Sequence, residues 1–83
     1  MTASRAEVFN IVKTNILEVL PDLDPAEIRE DRSMRDMGAN SIDRADVIVQ
    51  TMEQLGIKFR ISELAEVKNI GGLVDFLVQR TRA

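Results

Sequence analysis

The chain has 83 residues, a net charge of −3, 45% apolar and 30% charged residues, a composition that suits one small folded domain and excludes a disordered chain. It contains no Cys, His, Trp or Tyr, which excludes disulfides, a thiolate nucleophile or metal site, an imidazole base and an aromatic platform for stacking bases. The acidic balance argues against nucleic acid as a main partner, no apolar run approaches the length of a membrane span, and the first twenty residues lack the layout of a signal peptide.

The first helix is expected to start near Thr2 or Ser4. Ser4 and Glu7 have the spacing of a capping box. Val8, Ile11, Val12, Ile16, Val19 and Leu20 follow at three- and four-residue steps, the signature of one buried helical stripe. Pro21 should end the helix. The stretch from Pro21 to Asn40 then reads as a long connection, with Leu23, Ile28, Met34 and Met37 as irregular anchors. Loops of this length are uncommon in small domains and are often functional. A short helical turn is expected near Ser33–Met37.

A second helix is expected over Ser41–Leu55, with Val47, Ile48, Thr51, Met52 and Leu55 facing inward. Ile42, Ala45 and Val49 fall on a different face. Gly56 occupies the position of a left-handed C-cap. A short third helix over Ser62–Glu66 and a fourth from Ile70 to Arg80 complete the reading. Ile70, Leu73, Val74 and Leu77 give the fourth its stripe. Gly71 and Gly72 weaken its first turn by up to about 1 kcal/mol each relative to alanine. The expected fold class is therefore all-α, a single four-helix bundle over residues 1–83 with a long loop after helix one.

Charge is uneven along the chain. The loop holds Asp22, Asp24, Glu27, Glu30, Asp31 and Asp36 among three arginines, without the spacing of a calcium loop, so it reads as solvated. No metal site is expected.

"DMGANSID", Asp36–Asp43, concentrates the signals for chemistry. Gly38 permits a tight entry, Asn40 can cap the second helix, and Asp43 suits its positive end. Ser41 then becomes the first helical residue. The motif contains no base, so Ser41 cannot act alone as a nucleophile. Either Asn40 and Ser41 only start a helix, or another protein activates the serine.

The stretch resembles the Asp-x-Gly-x-Asp-Ser-Leu-Asp attachment motif of acyl carrier proteins, and the order of helices and loop agrees over nearly the whole chain. Asn40 stands where that family usually has an acid, and Ile42 where it has leucine. "NSIDRADVI" and "VKNIGGLVDFL" are also similar to the discrete donor carriers of polyketide β-branching cassettes, with Arg44 the most suggestive residue. The resemblance implies a cytoplasmic, monomeric, non-catalytic carrier with 4′-phosphopantetheine covalently attached to Ser41. Its implied partners are a phosphopantetheinyl transferase, an acyltransferase, a ketosynthase-like decarboxylase and a 3-hydroxy-3-methylglutaryl synthase homologue, which would receive acetyl groups. Ile42, Asp43, Arg44, Ala45, Asp46 and Val49 are then the expected partner-binding surface. A peptidyl or aminoacyl carrier, or a helical adaptor without a prosthetic group, would share much of the pattern.

Overall fold

The computed structural model describes residues 3–82; the alternative start at Thr2 lies outside them. Three α-helices are present: α1 (Arg5–Val19), α2 (Ser41–Leu55) and α3 (Ile70–Thr81). Two 3-10 helices, Pro25–Glu27 and Ile61–Leu64, lie in the connections. Among the described residues there is no strand. The all-α class holds, but the four-helix count is corrected: the expected short third helix is the 3-10 turn Ile61–Leu64, and the expected fourth helix is α3.

Local sequence explains the helix ends. The Ser4 hydroxyl accepts from the Glu7 amide at 3.1 Å, and the Glu7 carboxylate accepts from the Ser4 amide. α1 stops at Val19, and the Leu20 N–H closes the last turn on the Ile16 carbonyl just before Pro21. α2 ends at Gly56, which adopts φ 67°, a conformation costly for residues with a Cβ. Asn69 caps α3 through its side-chain oxygen, which accepts from the Gly72 amide at 2.8 Å.

The core lies where the three stripes meet. Val8, Val12 and Ile16 of α1, Val47 and Ile48 of α2, and Ile70, Leu73, Val74 and Leu77 of α3 are buried. Each such side chain contributes roughly 1.5–3 kcal/mol on leaving water. Among the described residues two buried positions are polar, Asn15 and Thr51. Asn15 is fully buried, and its amide donates to Thr51 Oγ1 and Gln54 Oε1, both at 2.9 Å. Thr51 in turn donates to the Val47 carbonyl. This polar bridge ties α1 to α2 at one register.

The long loop is docked onto the bundle. Ile28 and Met37 are buried and Leu23 and Met34 half-buried, as their apolar character predicts. Near the expected helical turn, residues 33–38 close three successive i+3→i backbone bonds, Asp36 to Ser33, Met37 to Met34 and Gly38 to Arg35, a tight 3-10-like turn; Ser33 and Asp36 tie its start by reciprocal side-chain bonds. The loop carbonyls of Glu30 and Arg32 accept from the first amides of α3, Gly71 and Ile70. Arg5 of α1 grips Glu30 with two nitrogens and Asp75 of α3 with a third. The loop acids are exposed, as expected, and several also make surface contacts: Asp24 caps the first 3-10 helix, Glu27 pairs with Arg32, and Asp31 with Arg29.

The connector after α2 is fixed in the same way by tertiary contacts. Phe59 packs edge-on to Phe76 of α3, with ring centroids 4.9 Å apart. Arg80 lies over the Phe76 ring and pairs with Glu63. Four residues are too few to nucleate an α-helix unaided, so these anchors hold the segment as a tighter 3-10 turn.

Candidate functional site

The attachment-type motif is built by the entry into α2. Gly38 takes φ 95°, and a Cβ there would meet nothing within 4 Å, so backbone conformation selects glycine at this position. Ala39 is buried, and its N–H donates to the Met34 carbonyl at 3.1 Å. Asn40 then caps the helix. Its Oδ1 accepts from the Asp43 amide at 2.8 Å, while Asp43 Oδ2 accepts from the Asn40 amide at 3.2 Å. The asparagine and the aspartate thus close a reciprocal capping box. Asp36, the first residue of the motif, accepts from the Ser33 amide at 3.2 Å, and this bond, with the nearby Ser33 hydroxyl, holds its carboxyl below the usual range.

Ser41 follows as the first residue of α2 and is exposed. Among the described residues its hydroxyl makes no hydrogen bond. The sequence expectation of a serine opening the second helix is thereby met in geometry. Ser41, Arg44, Ala45 and Ile48 recur at helical spacing on one face and line an open groove of about 650 Å³. Met34 of the loop, Leu64 and Val67 of the connector, and Ile70 and Leu73 of α3 supply its apolar wall. Among the described residues, three charged side chains line it, Arg35, Arg44 and Lys68, and no carboxylate does. A free hydroxyl beside an apolar groove with only cationic charge suits a long substituent with an anionic group near its root, which is the chemistry of a pantetheine phosphodiester.

The expected partner-binding residues separate into two groups. Ile42 is 71% and Val49 42% exposed, with Asp46 exposed between them on the outer face. Ala45 is half-buried and turned to the groove, so the expected apolar strip is reduced to Ile42 and Val49. Asp43 is half-buried and engaged in the capping box. Arg44 is also half-buried; its Nη1 donates to the Ala39 carbonyl at 3.1 Å, and among the described residues it forms no ion pair with Asp43 or Glu53. Ile61, outside that expected surface, is 48% exposed and borders the groove. The loop and connector cations Arg35 and Lys68 were missed as site residues, because nothing in their local pattern places them beside Ser41. Among the described residues no three His, Cys, Asp or Glu converge as metal ligands, and no helix is long and apolar enough to cross a membrane.

Comparison with known proteins agrees with this geometry. The family described as phosphopantetheine attachment site matches residues 10–77. The polyketide biosynthesis acyl-carrier-protein AcpK of Bacillus subtilis (strain 168) is 37% identical over 79 residues, covering 95% of this chain and 96% of that protein. An acyl carrier protein of Thermotoga maritima is 29% identical over 94% of this chain and 96% of its own length. Among solved structures, a chain in the crystal structure of the curacin biosynthetic pathway HMG synthase in complex with acetyl donor-ACP superposes with a TM-score of 0.83 at 32% identity, covering 93% of this chain and 99% of that chain. A free serine at the head of α2, set in a fold shared with these carriers, therefore has a family to explain it: the chain belongs to the acyl carrier proteins of the phosphopantetheine attachment family, non-catalytic carriers with a covalent 4′-phosphopantetheine.

Proposed function

We propose that Ser41 carries the phosphopantetheine and that the chain serves polyketide biosynthesis as an acetyl donor to an HMG synthase homologue during β-branching. The observation that carries the reading is the exposed Ser41 hydroxyl, opening α2 beside the cation-lined groove. The likeness to the chain from the HMG synthase complex and to the polyketide carrier AcpK supports the pathway and the partner.

A phosphopantetheinyl transferase supplies what the motif lacks. With magnesium and an external base, the Ser41 oxygen would bond to the pantetheine phosphate of coenzyme A as the phosphoanhydride bond breaks, the hydroxyl proton would pass to the transferase, and adenosine 3′,5′-bisphosphate would leave. When bound, the group supplies a terminal thiol that holds acyl groups as thioesters. The chain's own residues do the rest. Asn40 and Asp43 hold Ser41 at the helix start, Gly38 and Ala39 fix the loop that delivers it, and the outer face of α2 meets partner enzymes. Ile42 and Val49 provide a small apolar centre, and Asp46, with Asp43, Arg44 and Ala45 at its edge, provides the surround. Such a patch suits a transient complex steered by charge. An acyltransferase and a ketosynthase-like decarboxylase would load and trim the cargo in cytoplasm.

Intact-mass measurement after incubation with a broad-range transferase and coenzyme A tests the attachment. The wild type should gain one phosphopantetheine and Ser41→Ala none; a gain that persists in the alanine variant refutes the site. Acetyl transfer from the loaded carrier to the synthase homologue, set against transfer to an aminoacyl pathway enzyme, tests the pathway.

A further inference from the structure

We propose that Arg44, with Arg35 and Lys68, forms a seat for the phosphodiester of the arm and directs the arm along the groove instead of leaving it free in solvent. The proposal rests on Ser41 being the attachment residue.

Four observations carry it. First, Ser41 and Arg44 are three residues apart on α2, so their side chains leave the same face about 5–6 Å apart. Second, Arg44 is held in place. Its Nη1 donates to the Ala39 carbonyl at 3.1 Å, which keeps the guanidinium at the amino end of α2. That bond uses one of five N–H donors and leaves the others for a second acceptor. Third, among the described residues no carboxylate pairs with it. The acids of the motif are committed elsewhere, Asp43 to the Asn40 amide and Asp36 to Ser33. Fourth, the groove is segregated in charge. In a chain of net charge −3, every charged residue among the described ones that line it is a cation.

A planar guanidinium with free donors matches phosphate oxygens better than an ammonium does. Arg44 is therefore the main contact, and Arg35 and Lys68, both exposed, add field around it. Arg44 acts here as a positioning residue: it holds the root of the arm and takes no part in acyl chemistry.

The test uses the full chain in apo and holo forms, with intact mass recorded first to show complete loading. The readouts are the phosphorus resonance of the phosphodiester and the amide shifts of Ile48, Ile70 and Leu73 between apo and holo protein. In the wild type at low salt, the three groove amides should move on loading, and high salt should shrink the movement. Arg44→Ala should reduce it at least twofold and displace the phosphorus resonance, with Arg44→Lys in between. Because Arg44→Ala also loses the bond to Ala39, an Arg35→Gln/Lys68→Gln double variant, which leaves that bond intact, should weaken the movement as well. Full loading with groove shifts that are absent in the wild type, or unchanged in Arg44→Ala and in the double variant, overturns the seat alone. No mass gain on Ser41 overturns the attachment reading and the seat with it.

Discussion

Asn40 is the point at which stability and function meet, and its replacement gives a quantitative test. In Asn40→Ala the 2.8 Å bond from the Asp43 amide to Oδ1 is lost. The return bond, from the Asn40 amide to Asp43 Oδ2, uses the backbone and can persist. The orphaned Asp43 amide lies at an exposed helix end where water can reach it, so the cost should be near the middle of the range for lost N-caps, about 1 kcal/mol. For a domain of this size that corresponds to a fall in Tm of roughly 4–8 °C. Asn40→Asp restores the acid usual in the resembled motif. It keeps the acceptor and gains a favourable charge at the positive end of α2, about 0.3–1 kcal/mol, set against repulsion from Asp43. Its Tm should stay within a few degrees of wild type, about 0.5 kcal/mol or less. Thermal unfolding followed by far-ultraviolet circular dichroism reads both, and phosphopantetheine loading should slow in the alanine variant because the cap fixes where Ser41 begins the helix. An alanine variant as stable as wild type, or an aspartate variant as unstable as alanine, would refute the assignment of the cap.

The two adjacent glycines of α3 should respond in opposite directions. A Cβ on Gly71 would lie 3.2 Å from the Glu30 carbonyl oxygen, which is already bonded to the Gly71 amide and flanked by the Arg5 grip, so Gly71→Ala should lower stability by about 1 kcal/mol; at Gly72 the nearest atoms are at ordinary contact, 3.4 Å or more, and alanine should raise stability by up to about 1 kcal/mol. Urea titrations showing the same sign for both would discount the loop's close approach. The Glu30 carboxyl is held below its ordinary value of 4.5 chiefly by its hydrogen bonds from Arg5. Its contribution is therefore present above that value and is lost as pH falls through the lower folded one. Tm should drop between about pH 5 and pH 3, less steeply in Arg5→Gln, with Asp36 and Glu63 accounting for part of what remains because their values are lowered in the same sense; identical profiles would remove the ion pair from acid stability. Finally, Ile42→Glu changes a side chain that is 71% exposed, so stability should stay within about 0.5 kcal/mol of wild type while acetyl transfer to a synthase homologue falls at least several-fold; normal transfer would take Ile42 out of the docking surface.

Features whose physics is local can be read from the order of residues alone. Ser4 with Glu7, Asn40 with Asp43, Gly56 and Asn69 each fix a helix end through groups within a few residues, so the bounds of α2 and the place of Ser41 at its head were legible before any packing was known. The three apolar stripes were legible for the same reason, since helical period alone sorts their faces. Tertiary structure decided what depends on contacts between distant segments. It turned the expected third helix into a 3-10 turn, because Phe59 and Glu63 are held by Phe76 and Arg80 of α3. It buried Asn15 against Thr51 and Gln54, a polar contact no apolar period announces. It also brought Arg35, Arg44 and Lys68 to one groove beside Ser41, although loop, helix and connector carry them separately in the chain. Caps and stripes are written in spacings of three and four residues, whereas a groove is written in the meeting of surfaces, and only the folded chain brings those surfaces together.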